Sequence, residues 1–168
     1  SKGDYISKEV KETLSPSMDI QLASNFERLI YYINNSDVLK TSKIMKTIEQ
    51  NSYKIEKSNL DIIQKDFLSE SCNEQETLDI IKKIYEDNDV ILDPHTAIGV
   101  GVANKLSINN CVVLSTAHPC KFPDATNISI DKHEKLPKAL EHVLEKVENF
   151  KILKNDIEEV KNYIKNNV

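Results

Sequence analysis

Residues 90–122 read VILDPHTAIGVGVANKLSINNCVVLSTAHPCKF, and the fold class is decided there. Val90-Ile91-Leu92 is a short apolar run halted by Asp93-Pro94, the pattern of a strand closed by a turn. Thr96 to Leu106 carries Ala97, Gly99, Gly101 and Ala103, small residues that predict a buried helix open to close approach by a neighbour. Cys111 to Leu114 is a second apolar run, closed by Ser115-Thr116, and Ile128 to Ile130 reads as a third strand. Strand, buried helix, strand is the order of a parallel βαβ unit, so the expected class is α/β.

Upstream, the pattern is helical. Ser15 as N-cap and Pro16 at the first helical position predict a helix over Ser17 to Ile33, with Asp19 near its positive end. Met18, Leu22, Phe26, Leu29, Ile30 and Ile33 form its apolar stripe. Ser36-Asp37 opens a second helix running to about Asn51, Tyr53 to Ile55 suits a short strand, and residues 58–66 suit a short helix. Phe67-Leu68 looks extended. Asn73 followed by Glu76 is a capping-box signal for another helix. Downstream, Glu134 to Val147 is amphipathic and a last helix is expected over Asn155 to Asn166. The resulting organisation is an entry segment and helix at 1–33, a mainly helical lobe at 34–88, and a βαβ part with C-terminal helices at 89–168.

Composition removes several functions. The 168 residues hold 22 basic and 27 acidic side chains, a formal net charge of −5. Phosphate backbones demand clustered basic charge, so a nucleic-acid partner is not expected. No apolar run approaches the roughly 20 residues of a membrane span, so no membrane partner is expected either. Ser1-Lys2-Gly3-Asp4-Tyr5 is too polar to open a signal peptide. The three cysteines, Cys72, Cys111 and Cys120, are odd in number and form no CxxC, which favours a reducing, cytoplasmic setting.

The chemistry-bearing candidates are Asp93-Pro94-His95-Thr96 and Ser115-Thr116-Ala117-His118-Pro119-Cys120-Lys121-Phe122. Both follow predicted parallel strands, at the edge where open α/β sheets bind ligands. His95, His118, Cys120 and Asp124 match no zinc spacing, and no metal is expected. Cys120 with a histidine could form a thiol nucleophile and base, although nothing local suggests an oxyanion hole. Cys111, within an apolar run, reads as a small core residue. Ser115 and Thr116 offer hydroxyls that either cap a turn or bond a cofactor ring nitrogen. Arg28, the chain's sole arginine, is a candidate anion contact, with Asn25 and Lys121 beside it as candidate substrate contacts.

Four segments together resemble threonine synthase of the bacterial and fungal form. They are Thr13-Leu14-Ser15-Pro16-Ser17-Met18-Asp19-Ile20, Ser24-Asn25-Phe26-Glu27-Arg28-Leu29, Leu92-Asp93-Pro94-His95-Thr96-Ala97 and Ser115 to Phe122, in the family's order. The resemblance implies part of a pyridoxal-phosphate (PLP) enzyme of fold type II, tryptophan-synthase-β-like: an open parallel sheet, flanking helices and a mainly helical inserted lobe. It implies a lyase of threonine biosynthesis that converts O-phospho-L-homoserine and water to L-threonine and phosphate. It places Thr116, with Ser115 beside it, at the cofactor's pyridine nitrogen. The family has alanine where Cys120 stands. The Schiff-base lysine and most of the glycine-rich phosphate loop have no counterpart here, so the resemblance is to the carboxy-terminal third. The expectation is that this segment alone is inactive and needs the amino-terminal part of the enzyme as partner. The rival readings are a non-catalytic interaction domain derived from the same fold, and an unrelated hydrolase using Cys120 or Ser115.

Overall fold

The computed structural model describes residues 2–6, 9–50 and 52–167. They form two compact units, divided between Glu134 and Lys135. No described helix is long and apolar enough to cross a membrane.

The first unit opens with β1 (Asp4–Tyr5), which pairs antiparallel with β2 (Tyr53–Lys54). Between them lie α1 (Ser24–Ile33) and α2 (Val38–Gln50). After β2 come α3 (Lys57–Asp66), α4 (Glu74–Asn88), α5 (Pro94–Lys105) and α6 (Pro123–Ile130). The apolar stripes of α1 and α2 meet in a core of Ile30, Ile44 and Ile48, flanked by Phe26, whose ring stacks on Tyr5 at 4.7 Å. Asn34 ends α1 and is buried. Its side chain donates to the Ile30 carbonyl at 2.8 Å and accepts from Asn59 at 3.1 Å, tying α1 to α3. The expected end of α2 at Asn51 lies outside the described residues.

A second core joins Ile81 of α4, Ala97 of α5 and Ala125 of α6, with Leu14, Leu92 and Phe122 packed around it. Full burial of a side chain such as Ile81 is worth about 1.5–3 kcal/mol. The capping box opens α4 as expected: Asn73 accepts from the Glu76 N–H, and the Glu76 carboxylate accepts from the Asn73 N–H. The small residues of α5 do what their size suggests. A Cβ at Gly101 would lie 2.4 Å from Ile80 Cδ1 and 3.0 Å from Cys72 Sγ, and one at Gly99 would lie 3.1 Å from Val113.

Several expectations need correction. Val90 to Leu92 and Cys111 to Leu114 flank α5 in the expected order, but neither is a paired strand, and the sheet found among the described residues is the two-stranded β1–β2. A strand forms only where a neighbour takes up its backbone N–H and C=O groups, and no described segment pairs with these two as a strand. Val112 and Leu114 are 88% and 77% exposed. Cys111 is exposed rather than a core residue. Ile128 to Ile130 is the last turn of α6, not a strand: Pro123 starts that helix, Asp124 favours its first turn, and Ala125 and Thr126 bury its inner face.

The helix expected from Ser17 starts only at Ser24. Pro16–Met18 is a single 3₁₀ turn. Asp19 explains the break. Its carboxylate accepts from the Thr13 N–H at 2.7 Å and the Thr13 hydroxyl at 2.9 Å, which folds residues 13–19 into a closed loop instead of a first helical turn.

The second unit, 135–167 among the described residues, holds a 3₁₀ segment at Lys138–Val143 and α7 (Ile157–Asn167). Leu140, Val143, Leu144 and Val147 are exposed, so the amphipathic run near 134–147 packs against little within its own unit.

The tight α4–α5 contact yields a prediction. Gly101→Val should destabilise the chain by ~2 kcal/mol through overpacking against Ile80 and Cys72. Gly99→Ala should be much milder, because the helix-propensity gain offsets a small shift of Val113. Urea unfolding midpoints of the two variants check the order.

Candidate functional site

The sequence Asp93-Pro94-His95-Thr96 builds a helix start. Pro94 has no N–H to lose at the first helical position, and Asp93 is the N-cap of α5. One oxygen, Asp93 Oδ1, accepts from the backbone N–H groups of His95 at 3.0 Å and Thr96 at 3.4 Å. It also faces His95 Nδ1 at 3.0 Å. The other oxygen, Oδ2, accepts a short hydrogen bond from the Thr96 hydroxyl. Asp93 is 1% exposed. Burial pushes its carboxyl up, but the hydrogen bonds from Thr96 and His95 outweigh that and hold it below the ordinary carboxylate value.

Thr96 carries this arrangement to the second cluster. The Thr116 N–H donates to Thr96 Oγ1 at 3.1 Å, and the two hydroxyl oxygens lie 3.3 Å apart. Thr116 Oγ1 is also 3.4 Å from Asp93 Oδ1. The Thr96 hydrogen is committed to Asp93 Oδ2. The Thr116 hydrogen has only two long, weak acceptors within the protein. An anchored hydroxyl therefore keeps a donor to offer outward, and Thr116 is exposed.

His95 is buried, and its two ring nitrogens have different neighbours. The Ser17 N–H donates to Nε2 at 3.2 Å, so Nε2 holds the lone pair and Nδ1–H donates to Asp93. The Phe122 ring packs on the imidazole at 4.6 Å between centroids.

The candidate residues sort as follows. Thr116 joins the Asp93–Thr96 cluster, and Ser115 is its exposed neighbour in the chain. Lys121 belongs to the 3₁₀ turn Pro119–Lys121, its Nζ 5.8 Å from the centroid of the Phe122 ring that covers His95. Asn25 and Arg28 are exposed on α1 and are not among the hydrogen-bond partners of this cluster. Arg28 instead lines a cavity of about 480 Å³ between α1 and α2, with Glu27, Tyr31 and Thr41. Among the described residues, no three His, Cys, Asp or Glu side chains converge as metal ligands would. His118 Nδ1 accepts from the Cys120 backbone N–H at 3.3 Å, which occupies the lone pair a thiol would need as base. Asp93 stood in the first candidate cluster, but its local role was read as a strand-ending turn, although Asp-Pro before a small-residue helix is also an N-cap signal. One participant escaped the sequence reading. Ser17 contributes only its backbone N–H, which no side-chain pattern could reveal.

The comparisons with known proteins converge. The family model "Threonine synthase, C-terminal" matches residues 96–164. Threonine synthase of Saccharomyces cerevisiae is 37% identical over 94% of this chain and 36% of its own length. That of Pseudomonas aeruginosa is 31% identical over 95% of this chain and 35% of its own length. The crystal structure of PLP-bound threonine synthase from Brucella melitensis superposes with a TM-score of 0.79 at 35% identity, over 98% of this chain and 36% of that one. The chain thus spans about a third of the length of these relatives. The likeness fixes the fold as part of the PLP-dependent α/β architecture, and PLP is the cofactor found in that relative.

The depressed Asp93 carboxyl sets a pH dependence. A group bound more tightly as its anion when folded stabilises the fold above the unfolded carboxylate value, ~3.9. That contribution is lost as pH falls through the lower folded value. Asp93→Ala should cost ~2 kcal/mol at neutral pH, through the lost cap and the stranded partners. It should also flatten the acid limb of the stability curve, read by denaturant titration between neutrality and strong acid.

Proposed function

Since the chain belongs to the threonine synthase family, we propose that it supplies the carboxy-terminal part of a PLP-dependent lyase of threonine biosynthesis. The reaction is the conversion of O-phospho-L-homoserine and water to L-threonine and phosphate. The observation that carries this is the Asp93–Thr96–Thr116 chain of hydrogen bonds, which holds one neutral hydroxyl at the protein surface with its hydrogen engaged only by long, weak acceptors.

That donor set fits an unprotonated pyridine nitrogen. The Thr116 O–H can donate to it, while the nearest carboxylate, Asp93, is buried behind Thr96 with its own oxygens occupied. When bound, PLP supplies the electron sink for proton removal from the amino-acid substrate. Thr116 orients the ring through a neutral contact and leaves the nitrogen uncharged, which tempers that sink. Ser115 lies beside it. Lys121, Asn25 and Arg28 are the substrate-side candidates, with Lys121 at the edge of the Thr116 cluster. In this reading, segments 1–33 and 89–168 belong to the cofactor domain and 34–88 to the helical lobe. The Schiff-base lysine comes from the amino-terminal part, and the free cysteines suit a reducing cytoplasm. The apolar faces of Val112 and Leu114 support this reading over a self-sufficient interaction domain, which would carry a polar edge there.

Two measurements test it. The purified chain, mixed with PLP and dialysed, should retain no cofactor absorbance, and borohydride should fix no cofactor to it. Supplying the amino-terminal part of a family member should restore the band and the release of phosphate from O-phospho-L-homoserine. In that assembly Thr116→Val should weaken PLP retention about five- to tenfold, the worth of one hydrogen bond, while Thr116→Ser should not. Specific fixation to one lysine of this chain alone overturns the placement of the lysine. Assembly without phosphate release points to the interaction domain instead.

A further inference from the structure

The loop at residues 13–19 is not helical, yet it lies over the most buried carboxylate in the cluster. Its internal closure comes from Asp19 and Thr13. It is fixed to the rest of the unit by the Leu14 N–H, which donates to Glu74 at 3.0 Å, and by the Ser17 N–H, which donates to His95 Nε2 at 3.2 Å. Within the loop Ser15 is buried, as are Asp93, His95 and Thr96 beside it, while Ser17 and Met18 face solvent. The loop is thus a strap whose outer side is wet and whose inner side keeps water from Asp93.

We propose that His95 is a positioning residue. Its Nδ1–H tautomer clamps the strap onto the N-cap of α5 through the Ser17 N–H, and so keeps Asp93 dry and Thr96 and Thr116 aligned. The imidazole bridges the two sides because each nitrogen has one role. Asp93 can only accept, so it selects Nδ1–H, and this leaves Nε2 as the acceptor that Ser17 needs.

The alignment of Thr116 as a cofactor contact rests on the function proposed above; the clamp itself does not, and the test separates them. In the 168-residue chain, ¹⁵N spectra of His95 should show a pyrrole-type Nδ1 and a pyridine-type Nε2, with a scalar coupling from Nε2 to the Ser17 amide nitrogen. The reverse tautomer, or no coupling, overturns the clamp. Two variants divide the ring. His95→Gln keeps an acceptor near the Nε2 position, and His95→Asn keeps a donor near Nδ1. Ser17 amide exchange should quicken about five- to tenfold in His95→Asn and stay near the parent rate in His95→Gln. Equal Ser17 exchange in both variants overturns the clamp even if both fold. In the reassembled enzyme, His95→Asn should weaken PLP retention and His95→Gln should restore it. If PLP retention ignores the strap while Thr116→Val still lowers it, the positioning role fails and the cofactor contact stands.

Discussion

One carboxylate organises the centre of this chain. Asp93 starts α5, fixes the tautomer of His95 and takes the Thr96 hydrogen, and through those two residues the 13–19 loop and the Thr116 segment depend on its two oxygens. The arrangement requires a dry site. In water each of those bonds would compete with solvent; behind the strap and the Phe122 ring they hold the carboxyl ionised despite its burial. Thr116, with few anchors of its own, takes its place from that network.

Packing sets where the network lies. Gly101 lets α4 come close enough for Ile80 and Cys72 to lie against the α5 backbone, and Ala97 fills the same core with Ile81 and Ala125. This packs α5 against α4 and α6, and the Asp93–Thr96–Thr116 cluster lies at the N-terminal end of that packed helix.

Much of this was legible in the residues. The capping box at Asn73 and the small-residue helix each carried a local rule that the structure keeps. The misses share a physical cause. Val90 to Leu92, Cys111 to Leu114 and Ile128 to Ile130 all had strand-like composition. A strand, however, is a property of two segments, and a three-residue apolar run fits a helix equally well once proline starts one. The delayed start of α1 turned on Asp19 choosing Thr13 over the helix dipole, a competition that periodicity does not register. The Ser17 contact belongs to the backbone and is blind to side-chain identity. The hydroxyl cluster by itself names no cofactor, since no single hydroxyl announces a pyridine ring; only the resemblance pointed to one.

The exposed run from Cys111 to Leu114 has a consequence for the chain's life in solution. It is apolar and uncharged, contains no proline, and presents Val112 and Leu114 to solvent with no strand beside it. Such an edge accepts whichever extended segment arrives first. Until a neighbour covers this edge, its apolar side chains stay in contact with water, an arrangement that burial elsewhere must offset.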